Sequence, residues 1–221
     1  MRYHVCLLLL AACYTAATAQ IGLTTTYNIQ DIYLSADDEA VAGSFSDFEL
    51  DNGYEVQLHY WFRLPNNRIE FQPTVYYSLA DPFGGSDVFW QEYGAQMEVN
   101  VYPFDFFGDC GCPTFGKQGP QLQKGFFIQG SAGYARREIE ETFIAGEVNT
   151  FVFGGGVGLD IGISNLLTLT PIATVRRGRA AVGDFSGIID GGGNIIPALN
   201  YKQLDYQFGL QATFRFDSAN Y

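Results

Sequence analysis

The sequence predicts an all-β protein, an eight-stranded antiparallel up-and-down β-barrel that crosses a membrane. Three observations predict it: strict two-residue alternation of apolar and polar side chains, alternating runs long enough to span lipid, and connections that alternate between tight and long. Composition agrees. The 221 residues include 19 Phe, 14 Tyr and 26 Gly, and only 16% are charged, against roughly 25% in an average soluble domain. Beyond the N-terminus no apolar run reaches the roughly 18 residues of a membrane helix.

The clearest strand is 54–64, where Tyr54, Val56, Leu58, Tyr60, Phe62 and Leu64 share one face and Glu55, Gln57, His59, Trp61 and Arg63 the other. Such alternation marks a strand with one apolar face. The next sets Ile69, Phe71, Val75, Tyr77 and Leu79 against Arg68, Glu70, Gln72, Thr74 and Ser78; a third sets Tyr93, Ala95, Met97, Val99 and Val101 against Glu92, Gln96, Glu98 and Asn100. The last, 204–216, sets Tyr206, Phe208, Leu210, Ala212, Phe214 and Phe216 against Asp205, Gln207, Gln211, Thr213 and Arg215. Weaker strands at 20–34, 125–137, 149–163 and 166–177 bring the number to eight. The longest runs reach about 11–13 residues, and a tilted membrane strand needs about 9–11.

Pro65-Asn66-Asn67 and Ser164-Asn165 read as tight turns. The intervening connections read as about 17, 11, 11 and more than 20 residues, and both turns fall on the side of the chain ends, as in outer-membrane barrels. The long segment 103–124 is the exception on that side.

Residues 1–19 read as a signal peptide: Arg2, an apolar stretch from Val5 to Ala12, and Ala17-Thr18-Ala19 before Gln20. A lipoprotein-type cut at Leu10-Ala11-Ala12-Cys13 is the competing reading, and both export the chain. The barrel domain is then 20–217, with a short tail at 218–221. The net charge of −12 becomes one unit more negative when Arg2 leaves. That acidity speaks against nucleic acid, whose binding rests on neutralising phosphate.

The run Gln207-Phe208-Gly209-Leu210-Gln211-Ala212-Thr213-Phe214 resembles the C-terminal assembly signal of small eight-stranded outer-membrane barrels, although five residues follow Phe216. The stretch Cys110-Gly111-Cys112-Pro113-Thr114-Phe115-Gly116-Lys117-Gln118-Gly119, with Lys124-Gly125-Phe126-Phe127-Ile128, is similar to a segment of uncharacterised Bacteroidota outer-membrane barrel proteins. The resemblance implies the fold and the outer membrane of a Gram-negative bacterium, and no activity.

The lumen of such a barrel is filled by its own side chains, so the expected polar network is Glu55, His59, Arg63, Glu70, Glu98, Asp160, Asp205 and Arg215, joined by Arg68 and Glu92. Gly154, Gly156, Gly158 and Gly162 recur at period two, which suits small lumen positions and not a nucleotide loop. His59, the one histidine after the leader, reads as a member of the interior network. Cys110 and Cys112 suit a local disulfide; they are too few for a closed zinc site.

Arg136, Arg137, Arg176, Arg177 and Arg179 end their strands at the outer rim and are candidates to hold lipopolysaccharide phosphates, against ordinary pairing with Glu138, Glu140 and Glu141. Tyr60, Phe62, Tyr77, Phe89, Trp90, Tyr201 and Phe216 suit interfacial aromatic girdles. The acidic stretch with Asp37, Asp38, Glu39, Asp47, Glu49 and Asp51 lacks EF-hand spacing and reads as a solvated loop.

The expected role is a structural or interaction barrel with a plugged lumen that presents extracellular loops. Its partners would be outer-membrane lipid, lipopolysaccharide and an unspecified protein, with no cofactor, no metal and no catalytic set. The alternatives are a soluble lipocalin-like barrel, a small pore, or a barrel-embedded acyltransferase or protease.

Overall fold

The computed structural model describes residues 20–36, 49–63, 67–81, 89–105, 125–140, 145–164, 166–180, 188–189, 195–196 and 199–215. Eight long strands form the wall: β1 (Gln20–Ala36), β2 (Glu49–Arg63), β3 (Ile69–Asp81), β4 (Phe89–Val101), β5 (Phe126–Glu140), β6 (Ala145–Leu159), β8 (Leu167–Ala180) and β11 (Leu199–Arg215). The two-residue β7 (Ile161–Gly162) continues β6, and β9 (Ile188–Ile189) and β10 (Ile195–Ile196) form a separate small hairpin. Each long strand pairs antiparallel with its neighbour in sequence, and β11 pairs both β1 and β8, which closes the sheet. Closure leaves no edge with unpaired N–H and C=O groups, the condition for a sheet to cross hydrocarbon.

The burial pattern is inverted relative to a water-soluble core. On β1, Ile21, Leu23, Tyr27 and Ile29 face outward, while Gln20, Thr24, Thr26, Asn28 and Gln30 are buried inside. On β2, Leu58 is 51% exposed, whereas Glu55 is 1% and His59 2% exposed. The same holds on β11, with Phe208 and Leu210 out and Asp205 and Gln207 in. The alternation read from the sequence thus reappears with its polar side turned inward.

Strands run further than the alternation indicates. β2 begins at Glu49, β6 at Ala145 and β11 at Leu199, so the connections shorten to 37–48, 82–88, 141–144 and 181–198. Backbone pairing needs no apolar partner, and the ladder continues past the last alternating side chain, as in Glu140↔Ala145 between β5 and β6. The connection 141–144 is consequently as short as a turn, a correction to the longer loop expected there.

Two prolines on the outward side interrupt the ladders, since proline has no N–H to donate. The β2–β3 register stops at His59↔Thr74 and resumes at Phe62↔Phe71, skipping Pro73. The β6–β8 register stops at Gly158↔Ile172 and resumes through β7 at Ile161↔Leu169, skipping Pro171. Asp160 falls in that second gap; its N–H donates to the Gly125 carbonyl at 2.9 Å instead. The turn after β7 is tied by Ser164, whose Oγ accepts from the N–H groups of Leu166 and Leu167 at 3.2 and 3.1 Å.

Candidate functional site: the polar lumen

The barrel interior holds two ionic clusters with a zone rich in amide and hydroxyl side chains between them. The one nearer the loop end is centred on Arg176 of β8. It donates to both oxygens of Glu55 on β2, at 3.1 and 2.6 Å, the fork geometry that suits guanidinium and carboxylate. The same guanidinium lies 3.4 Å from Asp205 on β11 and 3.5 Å from Glu92 on β4, and its centre is 4.4 Å from the Tyr76 ring. Tyr76 Oη donates to Glu92 at 2.6 Å, and Arg137 of β5 pairs with the other Glu92 oxygen while stacking over Trp90. Gln57 donates to Glu55 at 2.7 Å and Gln203 donates to Asp205. Two cations and three carboxylates from five strands therefore meet inside.

The middle zone contains Glu98, which accepts from Gln96 at 2.6 Å and from Gln129 at 3.3 Å. His59 is on the inward face of β2, and its ring fills the space over Gly22, its cross-strand partner; a Cβ there would overlap the imidazole. Neither ring nitrogen has a hydrogen-bond partner among the described residues.

The turn-end cluster gathers around Tyr102, just past β4. Its hydroxyl lies 2.6 Å from Glu70 Oε2 and 2.7 Å from Asp160 Oδ2. The Trp61 indole N–H donates to the same Glu70 oxygen at 2.7 Å, and Thr170 donates to Asp160 Oδ1 at 2.7 Å. Arg68 pairs with Asp105 and stacks on the Tyr102 ring at 4.0 Å. Phe127 backs the same ring with centroids 5.4 Å apart, and fits because Gly158 opposite has no Cβ. Burial pushes the Tyr102 phenol well above its ordinary value, and the charges of Asp160 and Glu70 add to the push.

Glu55, His59, Glu70, Glu98 and Asp205 are buried inside, and Asp160 is half-buried among them. The side chains of Arg63 and Arg215 lie outside the described residues, as do Cys110 and Cys112, residues 1–19 and the 218–221 tail. The rim assignment needs correction. Arg137 and Arg176 point into the lumen, 0% and 2% exposed, so neither is turned toward lipid. Each belongs to an Arg-Arg pair, and alternation sends one member in and the other out. Arg136 faces outward but pairs with Glu147 and Glu138. Arg177 and Arg179 are exposed on the outward face, opposite Phe153 and Phe151 of β6. Trp90, expected in an aromatic girdle, is buried inside against Arg137.

Sequence reasoning missed Tyr102, although the inward parity of Glu98 and Asn100 continues to it, and Asp105, which lies in the turn beyond the alternation. The spacing of Arg137 after the outward Tyr134 was the available signal for its inward direction. Among the described residues no three His, Cys, Asp or Glu side chains are grouped to hold a metal, and no helix is long and apolar enough to cross a membrane.

The sequence matches no family model and no curated protein. The fold is similar to the outer membrane protein OprG from Pseudomonas aeruginosa, with a TM-score of 0.54 at 11% identity, covering 89% of this chain and 95% of that one. Neisserial surface protein A (TM-score 0.47, 9% identity, 89% and 97% covered) and Ail, the attachment invasion locus protein of Yersinia pestis (0.47, 9%, 89% and 99%), also align. The chain has the closed eight-stranded antiparallel barrel fold found among outer-membrane proteins.

Proposed function

We propose that the chain is an outer-membrane barrel with a lumen sealed by its own ionic network, acting as a structural or interaction protein that presents its loops outward. The inverted burial carries this reading: a belt of Leu58, Val75, Ile128, Phe153, Val157 and Phe208 faces out while carboxylates and guanidiniums face in. In water that belt would be an aggregation surface; in lipid it is the solvated side. A lipocalin-like barrel needs the opposite, an apolar interior for its ligand. The sealed lumen is supported by two internal cavities of about 10 Å³ each, room for about one water.

Fractionation with paired unboiled and boiled gel samples tests the reading. The chain is expected in the outer membrane and should migrate differently before and after boiling, with no stepwise conductance in planar bilayers. Recovery without detergent in the soluble fraction, or steady channel steps, overturns it.

Arg177 and Arg179 remain as the phosphate contacts of this proposal. Two exposed guanidiniums beside Phe151 and Phe153 combine a cation with an interfacial aromatic pair. Each is expected to contribute roughly 1 kcal/mol toward anionic headgroups. Lipopolysaccharide retained by purified Arg177→Gln/Arg179→Gln barrel should fall accordingly, and unchanged retention removes the assignment.

A further inference from the structure

The outward wall is not evenly convex. A groove of about 540 Å³ lies on the lipid-facing side of β1 to β5. Small side chains make its floor: Pro73 on β3, Ala95 on β4 and Ala132 on β5. Larger ones stand around them. Pro73 and Ala132 both lie opposite Met97, and Ala95 lies opposite Val75, whose other partner is Leu58. Leu58, Val75 and Met97 are 41–55% exposed and form the ridges. The β2–β3 ladder skips Pro73 at the same place, and His59 and Thr74, the last pair before the gap, add to the lining together with Gln96. Among the outward side chains of the lining, the single polar atom is the Tyr60 hydroxyl oxygen.

We infer that this groove seats one acyl chain of a phospholipid. The inference rests on the outer-membrane reading above, which places hydrocarbon against this wall. Lipid tails are as apolar as leucine, so the hydrophobic effect gives no preference for one lipid-facing spot over another. Dispersion contact does. A concave surface touches a chain on more sides than a convex one, and many small contacts add up. The volume suits a single chain: it equals the space of roughly 18 waters, and a methylene group is about as large as a water. Met97 contributes an unbranched thioether that adapts to a mobile occupant. A second copy of the barrel fits less well, because two convex walls meet on ridges such as Leu58 and Val75 and leave the hollow between them empty. Ile21 lies near the start of β1 and Tyr60 near the end of β2, so the groove opens toward the chain ends and the Pro65-Asn66-Asn67 turn. In the proposed orientation that is the periplasmic leaflet, whose lipids are phospholipids.

The full chain is extracted from membranes in a mild detergent, washed to strip bulk lipid and weighed by native mass spectrometry. A barrel carrying one phospholipid is expected, whatever the headgroup. Decane should displace it, because the grip is on hydrocarbon alone. Ala95→Leu/Ala132→Leu fills the floor from the outward side without touching the lumen, and the retained lipid should fall roughly tenfold. Gly130→Leu is the control. It adds bulk to the same face of β5 outside the groove, where nothing lies within 4 Å of a new Cβ, and retention should be unchanged. Unboiled gel mobility verifies that each variant is folded. Equal retention in the filled and control barrels, or lipid that decane leaves in place, overturns the site. A protein dimer that the double variant dissociates also overturns it, with a second copy as the occupant. Failure of the membrane reading itself has a separate signature: the chain is then recovered without detergent, before any lipid is weighed.

Discussion

Replacing Arg176 with Met is expected to destabilise the barrel by about 3–5 kcal/mol, the cost of leaving a buried charge without its partner. Arg176 is 2% exposed and holds Glu55 through both oxygens, with Glu92 and Asp205 on its flanks. Methionine matches much of its length but supplies no donor, so Glu55 keeps only the amide hydrogens of Gln57 and Gln207. Urea titration of the folded band in lipid vesicles measures the loss. Adding Glu55→Gln should recover a substantial part of it, because contacting residues in one ionic network are not additive. A single-variant loss below about 1 kcal/mol, the size of a solvent-exposed pair, would mean that the guanidinium is wet and the lumen open.

Arginine at Val75 is expected to cost about 2–4 kcal/mol in vesicles, the range for a charge on the lipid side near the bilayer midplane. Val75 is 55% exposed on the outward face in the middle of β3. Phe104 is 68% exposed but lies beyond the end of β4, so Phe104→Arg should cost only about 0–1 kcal/mol. This depth dependence separates lipid from water. In a water-soluble barrel, Val75→Arg would be near neutral and would raise solubility. Equal effects at the two positions would therefore refute the membrane reading while leaving the strand assignment intact.

Where side chains alternate, the sequence was readable. Residues 54–64 specify both the strand and its polar side, because shifting the face by one residue would bury Leu58 among carboxylates and expose His59 to lipid. The eight strands follow from repeats of that pattern. What was less legible lies where the pattern ends. Arg137 and Arg176 were read by their position near strand ends and not by their face, which sent two lumen cations to the rim. Trp90 was misread for the same reason. Tyr102 keeps the inward parity of Glu98 and Asn100, its N–H donating to the Arg68 carbonyl at 3.3 Å one step beyond Ile69↔Val101, whereas Asp105 reaches Arg68 from the turn that follows, which no periodicity announces. The break at Asp160 had a visible cause in Pro171, but which of its neighbours would receive the freed carboxylate depends on distant strands.

The loop-end charge cluster draws its members from β2, β4, β5, β8 and β11, with Arg176 and Glu55 separated by 121 positions in the chain. The β4–β5 hairpin carries Glu92 opposite Arg137, and β8 and β11 carry Arg176 opposite Asp205, so Glu55 is the member left waiting for a cation from a distant strand. A half-assembled sheet would thus leave Glu55 naked on the surface destined to become its interior, at a cost in hydrocarbon. Sealing the seam between the first and last ribbons and seating Glu55 on Arg176 therefore coincide, so the last ion pair of the interior doubles as a latch on the closed cylinder.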